Sequence, residues 1–486
     1  MNPDVIVIGA GLSGLACALT LQERGLAPLV LEASDGIGGR VRTDQHQGFL
    51  LDRGFQVLQT WYPEARRWLD YGPLDLRPFY PGALVRHGGR FHRVSDVWRR
   101  PWRLPEMLLS PIGTLGDKLR LLGLRQHCLR GSIADLYARP ETTALARLKD
   151  LGFSTRMLDR FFKPFFSGVF FDPELAVSSR SFEFLFRAFA LGDTALPARG
   201  MGEIPAQLAA RLTGDWLRLG CRVTGLEQGQ AVLDSGERLD ARALVIATDP
   251  WAAARLLGQA ANAPHAGDRQ HPPSDQGQWV PAAGAGQTEA EAEAEAGIRP
   301  ADANPQQAKA GTPLTEATIP RAQAGTPLTE AGPPPARGTT CCYFAADASP
   351  FAGPYLVLNG EGRGRINSVQ CPSNLSEHYA PTGKALITVN CHGIDADPDR
   401  LEATIRRELG DWFGPPVAAW ERLAIYPIPQ ALPAQPPPVA YPASVPQRLA
   451  ARLWVCGEYR AAPSIHWTLH SGRRAGEDVA HALGDG

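Results

Sequence analysis

Residues 5–31 read VIVIGAGLSGLACALTLQERGLAPLVL, and the placing of their glycines leaves few folds open. Val5 to Ile8 is an aliphatic, largely β-branched run, the composition of a parallel strand buried on both faces. Gly9, Gly11 and Gly14 follow in G-x-G-x-x-G spacing. LACALTLQERG then shows helical periodicity and closes on Gly25, and a second apolar run, PLVLEA, starts at Pro28. The pattern predicts a strand–helix–strand unit with its glycines at the first turn. Gly9 allows the tight turn, Gly11 lets the backbone approach a pyrophosphate, and Gly14 lets the helix pack close to the strand. Amides at the helix start, Ser13 among them, then face phosphate, where the helix dipole favours negative charge.

The next residues choose among dinucleotides. Glu32 closes the second strand with Ala33 beside it; a carboxylate there accepts hydrogen bonds from ribose hydroxyls and repels a 2′-phosphate, which argues against NADP. Gly38-Gly39-Arg40 follows within nine residues. A plain NAD domain has no use for that sequence. An extended FAD does: Arg40 supplies fixed donors near the pyrophosphate, and the glycines let the backbone follow the ribityl chain.

Two distant segments fit the same plan. Residues 221–250 predict a small hairpin sheet returning to a core strand, LVIAT, and residues 452–483 predict an apolar strand, a Gly457-Glu458 turn and a terminal helix. Together with PARGMGEIPAQLAARL in the centre, these segments resemble the flavin amine oxidase, phytoene desaturase and protoporphyrinogen oxidase superfamily. The resemblance implies an α/β protein in which a Rossmann-like FAD-binding domain is joined to an α+β substrate domain, each discontinuous in sequence.

It also implies roles. Val223 offers its backbone to the adenine, and Glu458, after Gly457, hydrogen-bonds the ribityl hydroxyls. A helix starting near Trp467-Thr468 aims amides at flavin N1 and O2, where reduced flavin carries negative charge. Gly54 and Phe55 pass close to the isoalloxazine, core packing being the other reading of Phe55. Relatives usually carry small residues where this chain has Trp467-Thr468, so the indole is expected to narrow the cavity or stack beside the flavin. His466 is expected either to titrate near neutral pH or to be a hydrogen-bonded bystander. Cys456 lies in the terminal strand, away from where covalent amine oxidases attach their flavin, so FAD is expected to be noncovalent.

Composition divides the rest. From residue 262 to 338 the chain turns to Ala, Pro, Gln, Gly and Glu, with EAEAEAEA and two copies of AGTPLTEA 14 residues apart. Such a segment buries too little apolar surface to fold alone and is expected to be a disordered insertion. The FAD domain is then assigned to residues 1–75, 195–261 and 448–486, and the substrate domain to 76–194 and 339–447. The proline-rich residues 431–447 predict a stiff linker. The net charge of −1, with no basic block, gives no reason to expect a nucleic-acid partner. Eight cysteines without ligand-like spacing point to free thiols in a reducing cytoplasm and to no metal. The uncharged stretch VIVIGAGLSGLACALTL has no basic run before it and glycines at its turn, so neither a signal peptide nor a membrane span is expected.

RFFKPFFSGVFFDPEL, residues 160–175, holds six phenylalanines, and Phe182, Leu185, Phe186 and Phe189 share a helical face. Phe165, Phe166, Phe170 and Phe186 are expected to line a pocket for a large apolar substrate, and the stretch is a candidate for touching a membrane surface. Amine oxidases of this fold place a lysine over the flavin; none of Lys118, Lys149, Lys163, Lys309 and Lys384 is well placed for it by sequence. The expected activity is a dehydrogenase or desaturase passing hydride from a polyene- or prenyl-type substrate to flavin N5, with oxygen or a quinone as electron acceptor. An amine or porphyrinogen-type oxidase, or a non-catalytic GDI-like binding protein, are the alternatives.

Overall fold

The computed structural model describes residues 3–227, 229–258, 280–281 and 332–484. Strand Val5–Ile8, helix Leu12–Glu23 and strand Pro28–Leu31 form the expected unit, the strands parallel from Val5 opposite Pro28 to Ile8 opposite Leu31. Both strands are buried along their whole length, as cover on two faces demands. Each large aliphatic so buried stabilises the fold by roughly 1.5–3 kcal/mol. The other edge of Val5–Ile8 pairs in parallel with Ala243–Ile246, which pairs in turn with Leu453–Val455. Leu217–Arg218 and Arg448–Ala450 complete a six-stranded sheet. The expected hairpin segment forms a separate antiparallel sheet, Val223–Glu227, Gln230–Leu233 and Arg238–Asp240.

The terminal helix Ile465–Gly484 packs directly on Leu12–Glu23. Two glycines permit the approach: a Cβ on Gly472 would lie 2.1 Å from the Ser13 carbonyl oxygen, and one on Gly476 2.9 Å from that of Cys17.

A second, eight-stranded sheet is antiparallel apart from one parallel pair, Leu356–Asn359 with Gly82–His87. Near its centre Ala336–Ala346 lies between Glu421–Pro433 and Ala385–His392. Helices Leu115–Leu129, Ala144–Asp150, Lys163–Phe170 and Ser179–Leu191 build the α part of this half. Among the described residues no helix is long and apolar enough to cross a membrane.

Composition misplaced two boundaries. Ala336 and Arg337 pair with Pro433 and Leu432, and Val280–Pro281 pairs with Ile425 and Ala424. Pieces of the expected disordered insertion, and of the expected linker at residues 431–433, are therefore sheet. Backbone groups alone make these ladders, so a segment poor in apolar side chains can still join a sheet. The insertion's remaining residues, 262–279 and 282–331, lie outside the described residues.

Candidate cofactor-binding and active site

The three motif glycines do three different things. Gly9 has φ +107°, and its Cβ would lie 3.0 Å from the Ala247 oxygen; a Cβ on Gly14 would lie 1.9 Å from the Gly9 oxygen. Both positions need glycine for turn and packing. Gly11 differs, because nothing lies within 4 Å of where its Cβ would be. Its open face is what a pyrophosphate approaching the backbone requires. Ser13 is buried and its hydroxyl donates to the Ala247 oxygen at 3.4 Å.

Glu32 is fixed beside this turn. One carboxylate oxygen accepts from the Ala10 amide at 2.7 Å, and the other from the Ser34 amide at 3.0 Å and its hydroxyl at 2.8 Å. A carboxylate offers about four lone-pair sites, so capacity for ribose hydroxyls is left. Ala33 is half-buried at the same strand end. Gly38 and Gly39, at φ +102° and +59°, dock the second motif on the first: the Gly38 amide donates to the Ala10 oxygen at 2.9 Å, and Gly38 bridges to Gly11. Arg40 then reaches the far end of the chain. Its guanidinium pairs with Glu458 and donates to the Ala431 oxygen at 2.7 Å. Burial pushes the Glu458 carboxyl up, and the Arg40 charge opposes that shift. An open glycine turn, an oriented carboxylate and an ion pair between half-buried Arg40 and buried Glu458 fit the phosphate, ribose and ribityl parts of FAD. Val223, half-buried, opens the hairpin sheet opposite Leu233.

At the terminal helix the start of the element can be placed. The helix starts at Ile465 rather than Trp467. The Trp467 amide donates to the Ser464 hydroxyl at 3.2 Å and the Thr468 amide to the Ser464 carbonyl at 2.9 Å. Ser464 thus acts as the cap, and the amides without an intrahelical acceptor are those of Ile465 and His466. The Trp467 indole is fully buried among Phe184, Tyr137 and Tyr441, with ring centroids 5.5, 5.7 and 6.1 Å away. His466 does not titrate near neutrality. Burial, then the nearby His470 and Arg473, hold its pKa down to about 3, and its Nδ1 accepts from the Glu64 amide at 3.1 Å.

The loop at Gly54 rests on residues that the sequence did not single out. Gly54 has φ +93°, and its Cβ would meet Ile428 Cδ1 at 2.7 Å. Its amide donates to the Tyr343 hydroxyl at 3.2 Å, which donates in turn to the Asp52 carbonyl. Tyr426, 5.1 Å from Tyr343 between ring centroids, donates to Asp44 at 2.8 Å. The Asp52 carboxyl accepts from the Met201 amide at 2.8 Å and the Tyr379 hydroxyl at 2.9 Å. Burial pushes it up to about 6, further than those bonds pull it down. Phe55 is half-buried, edge-on to Phe79 at 6.4 Å.

The aromatic stretch turns inward. Phe166 is 2% exposed, with Phe182 at 4.7 Å, Phe165 at 5.0 Å and Phe170 at 6.2 Å; Phe186 packs on Phe182 at 6.1 Å. Phe166 is thus a core ring rather than a wall of an open pocket. Phe170 also lines a small cavity with Asp172, Val177, Arg337 and Leu432. Phe184, on the opposite side of the same helix, is the ring that faces Tyr62, His466 and Trp467. Of the six phenylalanines in residues 160–175, Phe162 and Phe166 are buried and the other four are half-buried.

Comparison with known proteins agrees with this geometry. The family described as "Flavin containing amine oxidoreductase" matches residues 12–274, more than half of the chain. Polyamine oxidase 2 of Arabidopsis thaliana is 51% identical over 123 residues, 24% of each chain. Protoporphyrinogen oxidase 2 of the same plant is 41% identical over 89 residues, 17% of this chain and 18% of the relative. The chain spans no more than about a quarter of either relative's length. In fold it is similar to a putative protoporphyrinogen oxidase from Exiguobacterium sp. 255-15 (TM-score 0.62, 15% identity, 98% of both chains). It is also similar to putrescine oxidase bound to putrescine (TM-score 0.60, 16% identity, 100% of both chains). The chain belongs to the family of flavin-containing amine oxidoreductases, with FAD as its cofactor.

Proposed function

We propose that this FAD-dependent oxidoreductase oxidises a large apolar substrate of polyene or prenyl type rather than a small amine. The observation that carries the reading is the character of the wall beside Gly54. Ile428 closes on the loop, Phe55 and Phe79 stand beside it, and the nearby phenols of Tyr343 and Tyr426 are already hydrogen-bonded. The described lysines are engaged elsewhere or lie on other elements. Lys118 donates to the Leu108 and Ser110 carbonyls, Lys163 and Lys384 pair with Asp159 and Asp347, and Lys149 sits on helix Ala144–Asp150. Lys309 lies outside the described residues.

When bound, FAD supplies a two-electron acceptor for hydride. The chain's part is to hold and polarise. Gly9, Gly11 and Gly14 with the Ser13 turn would hold the pyrophosphate, Glu32 the ribose, and Arg40 with Glu458 the pyrophosphate–ribityl stretch. The first-turn amides of Ile465 and His466 would stabilise negative charge on the reduced flavin. Cys456 faces Cys17 in the interior, which supports noncovalent attachment. Oxygen or a quinone is the proposed electron acceptor.

Amine oxidation is the second reading, supported by the local identity to polyamine oxidase 2. A GDI-like binding role is the weaker alternative, since Arg40 and Glu458 form an ion pair suited to FAD. Anaerobic mixing of holoprotein with prenyl and polyene compounds, and separately with putrescine and spermidine, tests the choice. Bleaching by an apolar compound and not by either amine is expected; bleaching by the amines alone overturns it.

A further inference from the structure

Twelve large apolar side chains are exposed among the described residues, and eight of them fall between residues 98 and 122. Scattered exposed leucines need no explanation, but a cluster does. Helix Leu115–Leu129 buries Leu124 and Cys128 against the interior, yet Leu115, Leu119 and Leu122 point outward at i, i+4 and i+7, the first two 62% and 68% exposed. The preceding turn adds Leu109, 86% exposed, and Trp102, 62% exposed. Lys118 braces this turn, its ammonium donating to Leu108 and Ser110 carbonyls at 2.8 and 2.9 Å. The apolar tip is therefore built to stand out from the surface.

Charge around it is predominantly positive. Residues 96–130 contain seven Lys and Arg against three Asp and Glu, a net +4 in a chain whose total is −1. Arg100 lies over the Trp102 ring at 5.4 Å and Arg125 over Trp98 at 4.7 Å. Tryptophan beside arginine at the edge of a leucine surface is the composition of an interfacial anchor: rings sit at headgroup depth, guanidinium groups meet phosphate, and leucines enter the acyl boundary. A second copy docked on this face through a two-fold axis would set arginine against arginine.

We propose that the face formed by residues 98–122 docks on the surface of an anionic phospholipid bilayer. The test is co-sedimentation of full-length holoprotein with vesicles of phosphatidylcholine alone and of phosphatidylcholine mixed with phosphatidylglycerol. Wild type is expected to sediment with the anionic vesicles and to be released by salt. Arg100→Gln and Arg125→Gln should each weaken binding roughly fivefold. Leu115→Glu with Leu119→Glu should weaken it roughly a hundredfold, through loss of two leucine insertions. FAD absorbance and far-ultraviolet circular dichroism should match wild type in every variant, since these side chains lie outside the core. Wild type that stays in the supernatant with anionic vesicles overturns the proposal, as does binding that none of these variants changes. So does sedimentation velocity showing that the leucine variants split a wild-type dimer that binds no vesicle, an outcome that assigns the face to a second copy.

Discussion

Asp52 holds an acid where burial opposes its charge, and the consequence is measurable. Its carboxyl titrates near 6 in the folded protein, against an ordinary value of 3.8. The native state therefore binds more protons than the unfolded state between these values. The linked stability is fully present below about pH 4 and is lost as pH rises through about 6, by at most about 3 kcal/mol. Asp52→Asn keeps the acceptor oxygen for Met201 and removes the titration. Thermal midpoints of wild type should fall more steeply than those of the variant between pH 4 and 6; parallel curves would count against the assignment. Arg40 gives a second residue-scale expectation. Arg40→Ala leaves Glu458 buried without its partner, which costs about 3–5 kcal/mol. FAD should be lost on dialysis, and Arg40→Ala with Glu458→Gln should be less destabilised than the sum of the two single variants. Glu32 and Arg40 were legible in sequence because their chemistry is written within nine residues of a glycine turn. Asp52, Tyr343 and Tyr379 were not, because the first is joined to the others across 291 and 327 positions.

Among the elements, the crossing of the first and last helices is the tightest test. A Cβ on Gly472 would sit 2.1 Å from a backbone oxygen that cannot swing aside. Gly472→Ala should cost at least 1–3 kcal/mol, the usual range for overpacking (about that size or more), and should lower both thermal midpoint and retained FAD. Gly484→Ala, where nothing lies within 4 Å, is the matched control and should change neither. Strand–helix–strand order, the small hairpin sheet and the terminal helix were all visible from periodicity. That last helix starts at Ile465, two residues ahead of Trp467. Ser464 is an ordinary cap residue, and with it as cap the amides left over are those of Ile465 and His466.

For the molecule as a whole, composition drew the seams of the insertion too wide, since residues 280–281 and 336–337 pair in the sheet. Replacing residues 282–331 with a short Gly/Ser linker should leave FAD content and thermal midpoint nearly unchanged, since closure entropy varies slowly with loop length. Extending the replacement through Arg337 should lower the midpoint, because it removes ladder bonds to Leu432 and Pro433 and the Arg337–Asp172 pair. A fall of equal size in both variants would show that residues 282–331 pack against the body. The aromatic stretch is mixed by contrast: Phe162 and Phe166 lie in the interior and the other four rings are half-buried, while leucines interleaved with arginines mark the outside. The sheet order has one more consequence, for synthesis in the cell. Val5–Ile8 cannot gain its inner neighbour until residue 246 has emerged, and helix Leu12–Glu23 lacks its cover until the last twenty residues follow. At about 5–20 residues per second, a ribosome leaves that first helix waiting for roughly half a minute to a minute and a half. A chain stalled before the final helix would hold the glycine turn, Glu32 and Arg40 but lack both the cover of Leu12–Glu23 and the first-turn amides of Ile465 and His466.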